Sequence, residues 1–251
     1  ELDPKGRRLM IRPLLTLLLS LCIAGCATTA APPAERHPDD PWEPYNRSVY
    51  AFNRGVDRAV LRPVARGYDR ITPDPVKSGV GNFFRNLRSP IIMANLLVQG
   101  RGADLESEFQ RFFTNTVYGV GGLFDLASEA GIENNDADFG QTLAGWGWED
   151  SRFFMLPLLG PSTVRDAVGT GVGAVGDYPT RVALDKGSYG LLGLRIIDTR
   201  VALLPLDREL ADAYDEYILV RDGWLQSREY FVTGGESDTP DYEAWLEEDF
   251  E

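Results

Sequence analysis

The N-terminal pattern is one apolar run between two polar stretches. Four basic residues, Lys5, Arg7, Arg8 and Arg12, precede an apolar run from Leu14 to Ile23 that ends in small residues before Cys26. A charged segment, an apolar segment of about ten residues and small residues before a processing point are typical of a secretory signal. The run is shorter than the roughly 20 apolar residues that a transmembrane helix needs. We therefore expect residues 1–25 to be a signal segment, with Met10 as an alternative start.

From residue 40 onwards the apolar positions recur every three or four residues, which is the period of amphipathic helices. No element has the alternating period of a strand over a useful length, and no internal repeat is visible. The pattern predicts an all-α domain with helices over about 40–60, 74–88, 90–98, 103–118, 122–130, 138–143, 164–176, 189–204 and 207–232.

Several predicted helix boundaries depend on capping residues. Asp40-Pro41-Trp42-Glu43 has an N-cap residue, a proline at the first helical position and a glutamate at the third. Ser89-Pro90 repeats the cap-and-proline pattern and predicts a new helix there. Ser151–Gly160, with its prolines, predicts an irregular connection or a short strand, and Pro205 predicts a break before a helix that Asp207 caps.

Two predicted helices are unusually apolar. The segment 91–98 is apolar on nearly all sides except at Asn95, so we expect it to be buried in protein or in lipid. The segment 189–204 carries Arg195, Asp198 and Arg200 and is too charged to cross a bilayer, yet apolar enough to lie in its interface. These helices favour a domain that enters a membrane surface without spanning it.

Cys26 follows Ile23-Ala24-Gly25, which resembles the bacterial lipobox. The resemblance implies that the thiol of Cys26 receives a diacylglycerol, that the chain is cut before it and that its amino group is acylated. Four divisions follow: a lipoprotein signal (1–25), the lipidated cysteine with a flexible tether (26–39), a single helical domain (40–235) and an acidic, disordered tail (236–251). The residue after Cys26 is Ala27. In the enteric lipoproteins that this segment resembles, an aspartate there tends to retain the protein in the inner membrane, so the resemblance implies the outer membrane.

Charge and composition exclude several functions. The formal net charge is −13, and removing residues 1–25, with four basic and two acidic residues, makes it −15. Such a balance argues against nucleic acid, because phosphates demand a basic surface. The one histidine, His37, lies in the tether, no Gly-x-Ser-x-Gly motif is present, and no cysteine remains in the mature domain, so we expect no enzyme, no metal and no cofactor.

Short motifs in a fixed order give the sequence its strongest likeness. The chain resembles the MlaA/VacJ family of phospholipid-binding outer-membrane lipoproteins from Asp40 to about Glu236. The motifs are Asp40-Pro41-Trp42-Glu43-Pro44-Tyr45-Asn46-Arg47 with Tyr50, Phe52 and Asn53; Arg62-Pro63-Val64-Ala65; Asn82-Phe83 with Asn86-Leu87 and Pro90; Gln99-Gly100; Arg111-Phe112 with Asn115-Thr116 and Gly119; Asp138-Phe139-Gly140-Gln141-Thr142-Leu143; and Leu156-Pro157 with Gly160-Pro161-Ser162 and Arg165-Asp166.

The resemblance implies a ring-like domain of helices in the inner leaflet of the outer membrane, with an amphipathic channel. It implies that mislocalised phospholipid passes from the outer leaflet through the channel to a soluble periplasmic carrier, which maintains lipid asymmetry. It also implies association with a trimeric porin and no chemical step on the lipid. The alternative is a structural envelope lipoprotein that scaffolds porins without moving lipid, and an esterase is a distant third reading.

A channel for a charged headgroup needs polar side chains that bind without trapping the lipid, and uncharged amides meet that need. The candidates are Asn46, Tyr50, Asn53, Asn82, Asn86, Asn95 and Asn115. The competing interpretation, that such asparagines cap or brace helices, stays open.

Overall fold

The computed structural model describes residues 37–148, 150–176 and 188–233. Cys26, the signal segment, most of the tether and the acidic tail lie outside the described residues. The elements are α1 (Glu43–Val56), a π turn (Asp57–Leu61), α2 (Arg62–Ile71), α3 (Asp74–Val98), α4 (Gly102–Val117), α5 (Leu126–Glu129), α6 (Phe139–Gly145), β1 (Phe153–Leu156), β2 (Gly160–Thr163), α7 (Val164–Gly176), α8 (Ser188–Ala202), α9 (Leu206–Asp212) and α10 (Glu216–Thr233). The predicted all-α class is confirmed.

The first helical stretch differs from the prediction at both ends. Asp40 does not cap α1, which begins at Glu43 after Trp42 without a side-chain cap. The helix also does not end at Val60, because the π turn joins α1 directly to α2 across Arg62-Pro63. Proline has no N–H to donate and crowds the carbonyl four residues before it, so the wider π turn lets the helix continue.

Helix α3 runs through the predicted boundary at Ser89-Pro90, so that prediction was wrong. Both halves of α3 contribute to packing, with Phe84 before the proline and Ile92 and Leu96 after it all buried. That burial outweighs the one backbone hydrogen bond that Pro90 removes. Gly100, at φ +73°, closes the turn into α4, which packs against α3 along its length.

The segment 151–160, for which the sequence predicted an irregular connection or a short strand, contains the first strand of an antiparallel hairpin. β1 and β2 pair in the register Phe153↔Thr163 to Leu156↔Gly160. Phe153 and Met155 point into a small core with Tyr217 and Trp224. Packing of this core against Val49 and Tyr50 of α1 holds the hairpin between α1 and α10, and the short strand that the sequence allowed here is confirmed.

The last predicted helix is two helices, α9 and α10, separated by residues 213–215. The reason is Asp215, whose Oδ1 accepts hydrogen bonds from the N–H groups of Tyr217 and Ile218 and so begins α10. No helix in the described ranges is long and apolar enough to cross a bilayer.

Candidate functional site

A cavity of about 760 Å³ lies where about half of the described elements meet. Its wall is formed by α3, the segment 136–138, α6, the hairpin, α7, α8 and α10. This volume is within the roughly 300–1,000 Å³ that is typical of small-molecule sites. The site therefore depends on the whole fold and is not a feature of one motif.

The cavity wall is amphipathic. The larger apolar side chains of the wall are Ile91, Phe139, Leu159, Leu192, Trp224 and Phe231. The charged and amide side chains are Arg88, Asn95, Asp136, Asp138, Asp166, Arg195 and Arg228. A wall of this kind suits a ligand that has both an apolar part and a charged part.

The most buried charges of the wall form one ion cluster. Arg228 donates from Nη1 and Nη2 to Asp138 at 2.6 and 2.8 Å, and from Nε and Nη2 to Asp166 at 3.0 and 2.8 Å. The Asp166 side chain is 9% exposed and also binds Thr163 and Arg165. The cluster joins α6, α7 and α10 at the cavity.

A close helix crossing makes room for this cluster. Cβ atoms built on Gly140 and Gly169 would clash, the first 2.1 Å from Asp166 Oδ1 and the second 2.7 Å from the backbone nitrogen of Gly140. Only glycine fits at both positions. Asp138 caps α6, which begins close to the predicted start at 138, with Oδ1 accepting from the N–H of Gln141 at 2.9 Å.

The electrostatic environment keeps the cluster ionised. Burial alone would raise the pKa of the Asp138 carboxyl, but hydrogen bonds and attraction from Arg228, with two backbone N–H groups, lower it below its usual value. Burial alone would lower the pKa of Arg228, and its two carboxylate partners raise it instead. The guanidinium and Asp138 thus remain charged at neutral pH.

A second cavity of about 530 Å³ shares Arg228 with the first. Its wall carries the charged residues Asp39, Asp150, Arg165 and Glu229 beside apolar ones. Arg228 therefore lines both cavities. Asp39 marks where the tether meets the domain, since its carbonyl accepts the N–H of Phe153 at 2.7 Å.

Three of the predicted site residues lie on α1 and hold the hairpin and α10. Asn46 is fully buried, donating to Asp40 at 2.7 Å and accepting the N–H of Met155 at 2.9 Å. Asn53 donates to the carbonyl of Leu156 at 2.9 Å and accepts the N–H of Leu158 at 2.7 Å. Tyr50 donates to Glu216 at 3.3 Å.

Three more lie between α3, α4 and α5. Asn86 donates to Thr116 at 2.9 Å, Asn82 donates to the carbonyl of Leu123 at 3.4 Å, and Asn115 donates to Asp125 at 3.0 Å. They surround a polar space of about 10 Å³, room for about one water molecule.

Asn95 is the one predicted residue on the wall of the 760 Å³ cavity. Its Oδ1 accepts a hydrogen bond from Thr142 Oγ1 at 3.0 Å. The channel role of all seven residues stays a prediction, while their contacts are those of residues that brace helices. Sequence reasoning missed Arg228, whose carboxylate partners lie 62 and 90 positions away, a separation that periodicity does not reveal.

The α1–α2 stretch exposes large apolar side chains, which a helix on a water-soluble protein usually turns inward. Phe52, Val60, Val64 and Ile71 are 55%, 53%, 45% and 81% exposed. The other exposed positions between 52 and 67 are Gly55, Ala59, Pro63 and Gly67, together with the two arginines Arg58 and Arg66. The outward side of this stretch therefore combines a large apolar area with two exposed charges.

Part of the charge of the same stretch is held in a mostly buried network of ion pairs. Arg54 and Arg62 are 11% and 19% exposed, and Arg200 from α8 is 11% exposed. They pair with Asp57, Asp207 and Glu216, which are 15%, 9% and 22% exposed. Arg58 and Arg66, more exposed, join the edges of this network.

These features define a class: an all-helical domain that encloses an amphipathic cavity and turns an apolar helix face outward. The family model for MlaA lipoproteins matches residues 38–231. The chain belongs to the MlaA lipoprotein family, as its motifs predicted.

Relatives and a solved structure agree with this assignment. The chain is 33% identical to the intermembrane phospholipid transport system lipoprotein MlaA of Haemophilus influenzae, over 89% of this chain and 92% of that protein. It is 36% identical to the protein of the same name in Escherichia coli, over 85% and 86%. A solved structure described as the structural basis for maintenance of bacterial outer membrane lipid asymmetry matches at TM-score 0.66 and 34% identity, over 77% of this chain and 98% of that one.

Proposed function

We propose that this protein moves phospholipid out of the outer membrane through the 760 Å³ cavity and so maintains the lipid asymmetry of that membrane. The main support for this proposal is the amphipathic wall. Its apolar side chains can contact acyl chains, while Arg88, Asn95 and Arg228 can bind a charged headgroup. The 530 Å³ cavity, which shares Arg228 with the first and carries further charged residues, is the proposed exit towards water. The names of the relatives point to the same activity.

The domain lies partly in the inner leaflet in this proposal. Support comes from the α1–α2 stretch, whose outward side exposes large apolar side chains while Arg54 and Arg62 pair inside. Charged residues of membrane-embedded helices characteristically face the protein interior and pair there. Lipid contact on the outward side would remove Phe52, Val60, Val64 and Ile71 from water.

Acylation of Cys26 supplies the anchor, because each buried CH₂ contributes about 0.8 kcal/mol and several acyl chains hold a protein stably. The embedded helix face is then not needed for attachment, which supports a role for it in reaching the lipid. A trimeric porin and a soluble periplasmic carrier complete the path, as the family resemblance implies.

The proposed reaction has no covalent step and needs no cofactor. Among the described residues, no cluster of three or more histidine, cysteine, aspartate or glutamate side chains could hold a metal ion. The domain offers charge and shape to the lipid, and the lipid leaves chemically unchanged.

The test is made in cells that lack the gene. Phospholipid in the outer leaflet is measured by its accessibility to an added phospholipase, in the deletion strain and after complementation with the full chain. We expect exposure in the deletion strain and its loss on complementation. A scaffold that only binds porins predicts no change in surface phospholipid, and that result would reject transport.

A further inference from the structure

The two carboxylates that bind Arg228 are not equivalent. The Asp166 side chain is 9% exposed, and its Oδ2 also accepts a hydrogen bond from Thr163 at 2.8 Å. The Asp138 side chain is 41% exposed and lines the amphipathic cavity. Asp166 therefore fixes one edge of the guanidinium, and Asp138 covers the other edge from the cavity side.

That second edge has the geometry of an oxyanion site. Nη1 and Nη2 of Arg228 lie 2.6 and 2.8 Å from the two Asp138 oxygens, in a paired arrangement. A phosphate group presents a similar pair of oxygens, and arginine binds carboxylate and phosphate alike through two parallel hydrogen bonds. A phosphate entering the cavity could therefore replace Asp138 without any change in the Asp166 contacts.

We propose that the Nη1–Nη2 edge of Arg228 binds the phosphate of a phospholipid headgroup, and that Asp138 is an internal competitor that occupies this edge between lipids. The proposal rests on the proposed function, because it requires phospholipid in the cavity. It assigns Asp166 a positioning role, since Asp166 holds the guanidinium through Nε and Nη2.

Competition from Asp138 helps a lipid to leave the cavity. Ligands must be bound well enough to enter and weakly enough to leave. An arginine with a free edge in a largely apolar cavity would hold a phosphate strongly, because charge-assisted hydrogen bonds gain strength away from water. Asp138 returns to the edge when the lipid moves on, so it speeds release.

The chain offers a matched pair of variants. Asp138→Asn removes one negative charge and weakens the competitor, while asparagine remains a good N-cap for α6. Asp136→Asn removes one negative charge from the same cavity wall, but its partner is Arg88 at 3.2 Å and not Arg228. Any effect of cavity charge alone is therefore the same in both variants.

The full lipidated protein is purified in mild detergent, and phospholipid per protein is measured by mass spectrometry. Release is followed with a fluorescent phosphatidylglycerol and acceptor vesicles of phosphatidylethanolamine and phosphatidylglycerol. We expect Asp138→Asn to slow release about fivefold or more and to retain more lipid, since about fivefold is the lower end of the coupling found between two interacting ligands. The slowing should clearly exceed any change in Asp136→Asn, which reports the effect of cavity charge alone.

Arg228→Gln should retain less lipid than the unaltered protein. Arg228→Lys keeps the charge without the paired donors, so the lipid that it retains should lie between these two values. Circular dichroism checks that each variant is folded. Equal release from the Asp138 and Asp136 variants would overturn the phosphate site while leaving transport intact. An unaltered protein that neither carries nor releases phospholipid would reject the proposed function itself.

Inorganic phosphate is the second arm of the experiment, because free phosphate has the same oxygens. Phosphate added to the Asp138→Asn protein should compete only weakly with lipid, since it gains nothing from the apolar wall. Binding of inorganic phosphate as tight as that of lipid would assign the edge to a free anion and overturn the headgroup assignment.

Discussion

The crossing of α6 over α7 offers the most quantitative prediction. In Gly140→Ala, the new Cβ would lie 2.1 Å from Asp166 Oδ1 and 2.6 Å from Arg228 Nη2. Favourable contacts begin near 3.5 Å, so the carboxylate must move by more than about 1 Å. Gly145→Ala is the matched control, because it lies in the same helix with nothing within 4 Å of its Cβ.

The magnitude follows from three contributions. Overpacking costs about 1–3 kcal/mol, and disturbing a buried ion pair costs up to about 3–5 kcal/mol when a partner is lost. Alanine regains about 1 kcal/mol through its better helix propensity. We expect Gly140→Ala to lose about 2–4 kcal/mol of unfolding free energy, and Gly145→Ala to be neutral or slightly stabilised.

Thermal unfolding in mild detergent, followed by circular dichroism, measures this difference. For a domain of this size, each kcal/mol shifts Tm by about 2–4 °C, so Gly140→Ala should melt roughly 5–15 °C below the unaltered protein. Equal Tm values for the Gly140 and Gly145 variants would refute the argument that this glycine makes room for the ion cluster.

Four further predictions concern stability and membrane contact. Asn46→Leu should lower the free energy of unfolding in urea by about 2–4 kcal/mol. It leaves the buried N–H of Met155 without an acceptor, and Asp40 Oδ1 and the Phe153 carbonyl without the donor Asn46. An unchanged urea midpoint would contradict this. Hydrogen bonds outweigh burial and hold the pKa of Asp125 at about 2. The stability that the ionised Asp125 carboxylate contributes should therefore be lost as pH falls from about 4 to about 2. In Asp125→Asn, the unfolding free energy should change less over this pH range. Burial raises the pKa of Glu108, so Glu108→Gln should instead stabilise the fold at pH 7, and destabilisation there would contradict the sign. A fluorophore on Val64→Cys should be quenched by lipids with labelled acyl chains, whereas one on Asp150→Cys should not.

Local patterns predicted the positions of many helices because their apolar stripes are regular. The bounds of α4 and the cap of α6 at Asp138 illustrate this. Errors arose where distant contacts override local signals. Asp40 has the sequence of a helix cap, yet it is buried against Asn46 and Tyr217, whose hydroxyl donates to it from α10.

The candidate site was harder to predict than the fold. Amides attracted attention because they suit a polar channel, but most of them hold backbone groups of neighbouring elements, and Asn95 alone reaches the cavity wall. The charged wall comes from residues such as Arg88, Asp138 and Arg228 on separate elements. Only the tertiary fold brings these charges together, so their spacing along the chain does not predict the charged wall.

Phospholipid should occupy the 760 Å³ cavity, and the lipid that the purified protein retains reports this occupancy. Ser227 lines this cavity on α10, whereas the neighbouring Gln226 is exposed and absent from its wall. Mass spectrometry of the full protein, of Ser227→Trp and of Gln226→Trp compares a blocked cavity with a matched surface change. We expect phospholipid bound to the unaltered protein and to Gln226→Trp, and much less bound to Ser227→Trp. Equal phospholipid in all three proteins would contradict this expectation.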